Sequence, residues 1–349
     1  MRGRLRLFSP RATALLTLLC LVGCTAAPTR EEVLRTAVAR QLVPDMQALA
    51  RDAAELTVHL RALSADCPSL SAAQSAWRRA LLSWERVYAF RVGPLVDNSG
   101  LLRARFWPTR QAALEARLAA PEPLSAAAVE QLGVDVRGMY ALEWLLFVEP
   151  TQGLCAATQA GTQKRAGALA FAQNVQGYAD RALAQLGDGS ALVSTLRVEA
   201  QESVSRLVNQ MVATVETLAS DRLAVVIEMA AHDDLRSSEV QAAASGLSQQ
   251  LVLVQLAATE ALYLGHQGDG LSALVRPVAG QIDERVRARF VAARNLTEQL
   301  GAPLEVAVVF DRARVLAAFR ALKELELALK VDLASALGVT LTFTAGDGD

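Results

Sequence analysis

Residues 137–147 read Arg-Gly-Met-Tyr-Ala-Leu-Glu-Trp-Leu-Leu-Phe, and the chain is best understood outward from them. Glu143 stands alone among Leu142, Trp144, Leu145 and Leu146, so a buried helix here must supply the carboxylate with a compensating partner. A second run of the same kind, Ala258-Thr259-Glu260-Ala261-Leu262-Tyr263-Leu264, again sets a glutamate inside a largely apolar helical stretch. A duplicated bundle whose halves meet near residues 185–192 would account for the pair, and so would chance recurrence of Ala/Leu strings. The run Gly187-Asp188-Gly189-Ser190 serves as a hinge on either reading.

Upstream, Ser125 starts a helix expected to carry Val129 to Phe147, and Pro150 and Gly153 end it. The rest of the chain is dominated by amphipathic stretches with a period near that of a helix, while strand-like alternation is almost absent. The fold class is therefore all-α, organised as two helical-bundle-like halves. A first helix is expected over Arg30 to Ala65, kinked at Pro44, and a second from Ser69 or Ser71 to Phe90, closed by Gly93-Pro94. Val96 to Pro123 reads as irregular chain with a short helix near Gln111 to Leu118. Further helices are expected over Gln159 to Leu186, Ala191 to Met229 and Ser237 to Leu264. After a Gly265 to Gly270 loop, Leu271 to Leu300 and Leu304 to Leu337 complete the set.

The N-terminus has a different character. Arg2, Arg4, Arg6 and Arg11 precede the apolar run Ala12 to Val22, which ends in Leu21-Val22-Gly23-Cys24. This run falls short of the ~20 apolar residues a lasting span requires, and its order of parts is that of a secretion signal. The small residue before Cys24 suits cleavage there and lipidation of the new N-terminal cysteine, a pattern that resembles a bacterial lipobox. Thr25 follows where a retention signal would place Asp, which directs the expectation to the outer membrane, facing the periplasm. The expected division is residues 1–23 as leader, 24–29 as tether and 30–349 as the domain, its halves approximately 30–187 and 191–349. A domain of about 325 residues has ample chain for a core.

The net charge of -1, with basic residues scattered along the chain, offers no cationic field for nucleic acid, which is excluded as a partner. Of four cysteines, Cys20 lies in the leader and Cys24 at the lipidation site, leaving Cys67 and Cys155. An oxidising compartment favours a disulfide between them over two separate core thiols.

Trp77, the stretch Trp84-Glu85-Arg86-Val87-Tyr88-Ala89-Phe90 before Gly93-Pro94, and Trp107-Pro108 resemble the early half of the imelysin family, also called insulin-cleaving membrane proteases. Residues 137–147 occupy the place of that family's G-x-H-x-x-E segment. Ser245 to Leu264, followed by Gly265 and Gly270-Leu271, is similar to its later signature, and Leu337-Gly338-Val339-Thr340 through Asp347-Gly348-Asp349 to its ending. The resemblance runs in order over nearly the whole mature chain. It implies two packed helical halves, a periplasmic or outer-membrane location and an association with iron uptake.

The departure from the pattern bears on chemistry. Gly138 and Glu143 match the motif, but Tyr140 stands where the histidine belongs. A phenol supplies neither the neutral imidazole nitrogen that zinc prefers nor a base titrating near neutrality. His59, His232 and His266 are the chain's only histidines, and none lies in an H-x-x-E or H-E-x-x-H arrangement. Tyr140 and Glu143, three residues apart on one helix face, would instead offer hard oxygen ligands suited to ferric iron. The competing expectation is that both side chains are satisfied by protein partners.

Glu85, Trp107, Gly138, Ser245 and Glu260 complete the candidate ligand or metal residues, with Arg91 beside Glu85; Asp347 and Asp349 belong to a tail expected to be solvated. Three functional classes follow. The first is a non-enzymatic binding or accessory lipoprotein in iron or haem acquisition, with iron as its only candidate cofactor and iron-uptake components as partners. The others are a metallopeptidase of the imelysin type and an outer-membrane interaction scaffold.

Overall fold

A computed structural model describes residues 27–90, 100, 103–122, 124–149, 153–186, 194 and 199–341. The expectations for the leader, Cys24, Arg91, the Gly187 to Ser190 hinge, Asp347 and Asp349 fall outside the described residues. Among those described there is no strand, and no helix is long and apolar enough to cross a membrane.

Helix α1 (Arg30–Ala37) begins in a capping box: the Thr29 side chain accepts from the Glu32 amide, and the Glu32 carboxylate accepts from the Thr29 amide at 2.7 Å. It runs through a π turn (Val38–Leu42) into α2 (Val43–Arg61). Pro44 follows the π turn directly within this continuous helical run, so the irregular turn falls where the proline removes a backbone donor. The helix stops at Arg61, earlier than Ala65, because the chain turns through positive φ at Asp66 and Cys67. There Cys67 is joined to Cys155 (S–S 1.98 Å), and the Asp66 amide donates to the Cys155 carbonyl.

Helix α3 (Leu70–Tyr88) returns along α2 and buries Trp77 and Trp84. After it come α4 (Gln111–Leu118) and α5 (Ala126–Val129), the latter capped by Ser125, whose Oγ accepts from Ala128. The continuous helix expected over Val129 to Phe147 is broken. Gly133 and Gly138 divide it, and only Met139–Glu143 (α6), extended by a π turn at Trp144–Val148, is helical near the quoted run. Helix α7 (Gln159–Ala184) packs on α2 and closes the first half.

The second half begins with α8 (Ala200–Thr217), which passes through a π turn (Leu218–Ala224) into α9 (Val225–Ala231). The helix expected from Ser237 starts only at Ser248. Residues before it form a 3-10 turn and then reverse through positive φ at Ala242 and Gly246. Helix α10 (Ser248–Leu264) is followed by α11 (Ser272–Val275), α12 (Gly280–Glu298), α13 (Leu304–Phe310) and α14 (Arg312–Leu327). A last π turn and α15 (Ala334–Leu337) end at Gly338, which adopts the left-handed conformation that favours glycine. The halves meet where α10 lies on α3 and α1 lies on α8, and one continuous apolar core runs through both.

Candidate functional site

Three anchors fix the orientation of α6. Arg137, almost wholly buried, donates to the carbonyls of Val129 (3.0 Å) and Glu130 (2.9 Å), tying the helix entrance to the end of α5. Trp77 of α3 donates its indole N–H to the Met139 carbonyl at 2.9 Å. Gly138, at φ 82°, lies so close to residue 104 that an added Cβ would fall 2.2 Å from the Ala104 carbonyl oxygen. Gly138 is thus a point of close backbone approach that lets α6 start, and it supplies no ligand.

Tyr140 and Glu143 project from the same face of α6 into one cavity of about 330 Å³. Trp107, Trp144, Val148 and the turn carrying Ser237 and Ser238 also line it. The Trp107–Pro108 peptide is cis. One Glu143 oxygen accepts from the Ser245 amide at 3.0 Å, so the turn before α10 supplies the partner that a buried carboxylate needs. Burial nevertheless raises the Glu143 carboxyl to about 7; the Ser245 hydrogen bonds oppose the rise and Glu305 adds to it.

Tyr140 is 2% exposed, and its hydroxyl accepts from the Gln241 side chain. Behind it lies Glu85, fully buried and gripped by both arms of Arg105: Nε donates to Oε1 at 2.7 Å and Nη2 to Oε2 at 2.8 Å. Gln255 of α10 donates to the same carboxylate, and the Arg105 guanidinium also stacks 3.8 Å from the Tyr88 ring centre. Burial works against the Arg105 charge, but Glu85, with Tyr88 and Tyr140, outweighs it and holds the guanidinium protonated. The Tyr140 phenol is pushed well above its ordinary value by burial and then by Glu85, against the opposing pull of Arg105 and Arg222.

The sequence candidates therefore separate. Tyr140, Glu143 and Trp107 line the cavity, and Ser245 stands outside its lining, joined to it through the hydrogen bond to Glu143. Glu85 stands one layer deeper, as a structural counter-ion to Arg105 with electrostatic reach to Tyr140. Glu260 lies elsewhere, paired with Arg294 of α12 at 2.6 Å. Arg105, Arg222, Gln241 and Gln255 were not legible as site neighbours in the sequence, and Arg86 next to Glu85 offered a nearer cation than Arg105, the one that pairs with it. Among the described residues no three His, Cys, Asp or Glu side chains gather in a metal-holding group, and no histidine lines the cavity. The site can present two oxygen donors and aromatic walls, but neither imidazole nor thiolate.

The profile of the Imelysin family matches residues 33–329. Among solved structures, the chain is similar to a protein from Parabacteroides distasonis ATCC 8503 described as an iron-regulated protein A precursor. The TM-score is 0.77 at 16% identity, over 90% of this chain and 97% of that one. It is also similar to an imelysin-like protein from Psychrobacter arcticum 273-4, with a TM-score of 0.73 at 15% identity over 91% and 98% of the two chains. No curated protein matches the sequence.

Proposed function

The chain belongs to the imelysin family, and from that premise we propose that it is a periplasm-facing lipoprotein with a non-enzymatic binding role in iron acquisition. One observation carries the reading: Tyr140 and Glu143 face the same cavity, so the motif's helical spacing is retained while its nitrogen donor has become a phenol. The similarity to a protein described as iron-regulated supports the iron association. Two hard oxygens suit ferric iron better than zinc. Neither is ionised without cost, so an arriving metal would have to displace protons from both.

Two protein oxygens cannot complete a ferric coordination sphere, and the iron would therefore come with oxygen ligands of its own. A volume of about 330 Å³ lies at the small end of ligand sites and suits a compact chelate better than a macrocycle such as haem. The metallopeptidase reading has less support, because the lining residues provide no imidazole to hold zinc.

Titration of the metal-free protein with ferric iron supplied as a citrate complex, and separately with ferrous iron, tests the proposal. Saturable ferric binding that Glu143→Ala abolishes and Tyr140→Phe weakens is expected. No binding in either oxidation state, or binding indifferent to both substitutions, overturns it.

A further inference from the structure

Iron that reaches the cavity of Tyr140 and Glu143 brings ligands of its own, and the walls around those two side chains select among them. Trp107, Pro108, Trp144, Val148 and Val240 make an apolar lining, so two indole rings border a space of about 330 Å³. Trp144 is 5% exposed, and Lys164, 5.3 Å from its ring centre, stands outside the lining. Val148 is 51% exposed and carries the apolar surface out to solvent at the cavity's edge. Besides Tyr140 and Glu143, the polar lining consists of hydroxyl and amide side chains without charge.

The distribution of cations adds an independent sign. No Lys, Arg or His lines the cavity among the described residues. The cations beside it are committed elsewhere. Arg110, between the lining residues Thr109 and Gln111, pairs with Asp135 at 2.9 Å. Arg236, next to Ser237, lies between Asp234 at 3.2 Å and Glu239 at 2.5 Å, and Lys164 lies 3.9 Å from Glu149. Arg105 and Arg222 act on Tyr140 from outside the lining, and Arg105 is bound to both oxygens of Glu85. A chelator built from carboxylates needs cationic partners when it leaves water, and this lining supplies none. A flat ring is the opposite case, because its faces gain from indole contact through burial and offset stacking.

We propose that the iron bound here is accompanied by a planar aromatic chelator of the hydroxypyranone or hydroxypyridinone class, which grips the metal through two adjacent ring oxygens and bears a single negative charge. Such chelators, one for each charge on the ferric ion, give an uncharged complex that the cation-free lining accepts. Trp107 and Trp144 supply the ring contacts, and Val148 forms the apolar lip. This inference rests on the iron reading above and adds to it the chemical class of what travels with the metal.

Equilibrium dialysis of the metal-free protein against ferric maltol and against ferric citrate, at the same free ferric ion activity and with each chelator radiolabelled, tests this directly. The expected result is saturable retention of iron together with labelled maltol, about tenfold tighter than from citrate. Trp107→Leu should lose most of that margin. Where that variant fails to fold, Val148→Lys at the exposed lip gives the second readout, narrowing the margin by offering citrate a cation. Iron retained without labelled maltol, or equal affinity for the two complexes, overturns this proposal and leaves the iron reading standing. No iron retained from either source removes that reading and this proposal with it.

Discussion

Replacing Glu143 with glutamine changes one proton-binding site while keeping shape and the main hydrogen bond, since the amide oxygen of Glu143→Gln still accepts from Ser245 at the 3.0 Å position. The folded protein raises this carboxyl from its ordinary 4.5 to about 7, chiefly through burial, so the native state binds the proton more tightly than the unfolded chain does. The group's contribution to stability is therefore fully present below 4.5 and is lost as the pH rises through 7. The gap is bounded at about 3.4 kcal/mol, taking about 1.4 kcal/mol for each pH unit. Between about pH 5 and about pH 8 the loss comes to about 2.5 kcal/mol, because part of the titration is complete at the lower value. Glutamine does not titrate, and every other group cancels in the comparison. Urea unfolding of both proteins at the two pH values should therefore show the variant gaining about 2.5 kcal/mol on the parent as the pH rises. A stability difference that stays constant with pH refutes the burial argument for Glu143, and with it the claim that this cavity wall is desolvated.

Other perturbations test the supporting structure. Glu85→Ala strands the Arg105 guanidinium without its carboxylate and should cost about 3–5 kcal/mol in urea unfolding, whereas a loss under about 1 kcal/mol would mean the pair is solvated. Gly138→Ala combines a positive φ with a Cβ driven against the Ala104 carbonyl; a loss of about 1–3 kcal/mol is expected, and near-neutrality would contradict the close approach. Serine at both Cys67 and Cys155 opens a loop spanning 88 residues of sequence, for which chain entropy gives roughly 4–5 kcal/mol; mass spectrometry without reductant should meanwhile find no free thiol at either position in the parent.

The class of fold was legible because helical periodicity is a property of long stretches, and α4 fell on Gln111–Leu118 as expected from the prolines around it. What escaped was local. The helix carrying Val129 to Phe147 breaks because Gly138 must pass against the Ala104 carbonyl, a tertiary demand that hydrophobic pattern does not encode. The turn before α10 was hidden in the same way: residues 237–247 have helix-forming composition, yet they reverse so that Ser245 can present its amide to Glu143. Tyr140 and Glu143 could be picked out by spacing within a single helix. Their surroundings could not, because Arg105 comes from irregular chain, and Gln241 and Gln255 come from more than a hundred residues later. Each is a lone polar residue that gains meaning only once two helical halves are packed together. Glu260 illustrates the converse, since its likeness to Glu143 in sequence leads to a pairing with Arg294 and to no shared cleft.

The most direct test of the binding account is anomalous diffraction at the iron edge from crystals soaked in ferric citrate. One ordered iron is expected in the cavity lined by Tyr140 and Glu143, bonded to the Tyr140 phenolate and the Glu143 carboxylate, with its remaining positions filled by ligands from solution. Well-diffracting, fully soaked crystals whose cavity holds only water, or iron bound at exposed carboxylates elsewhere, would contradict it.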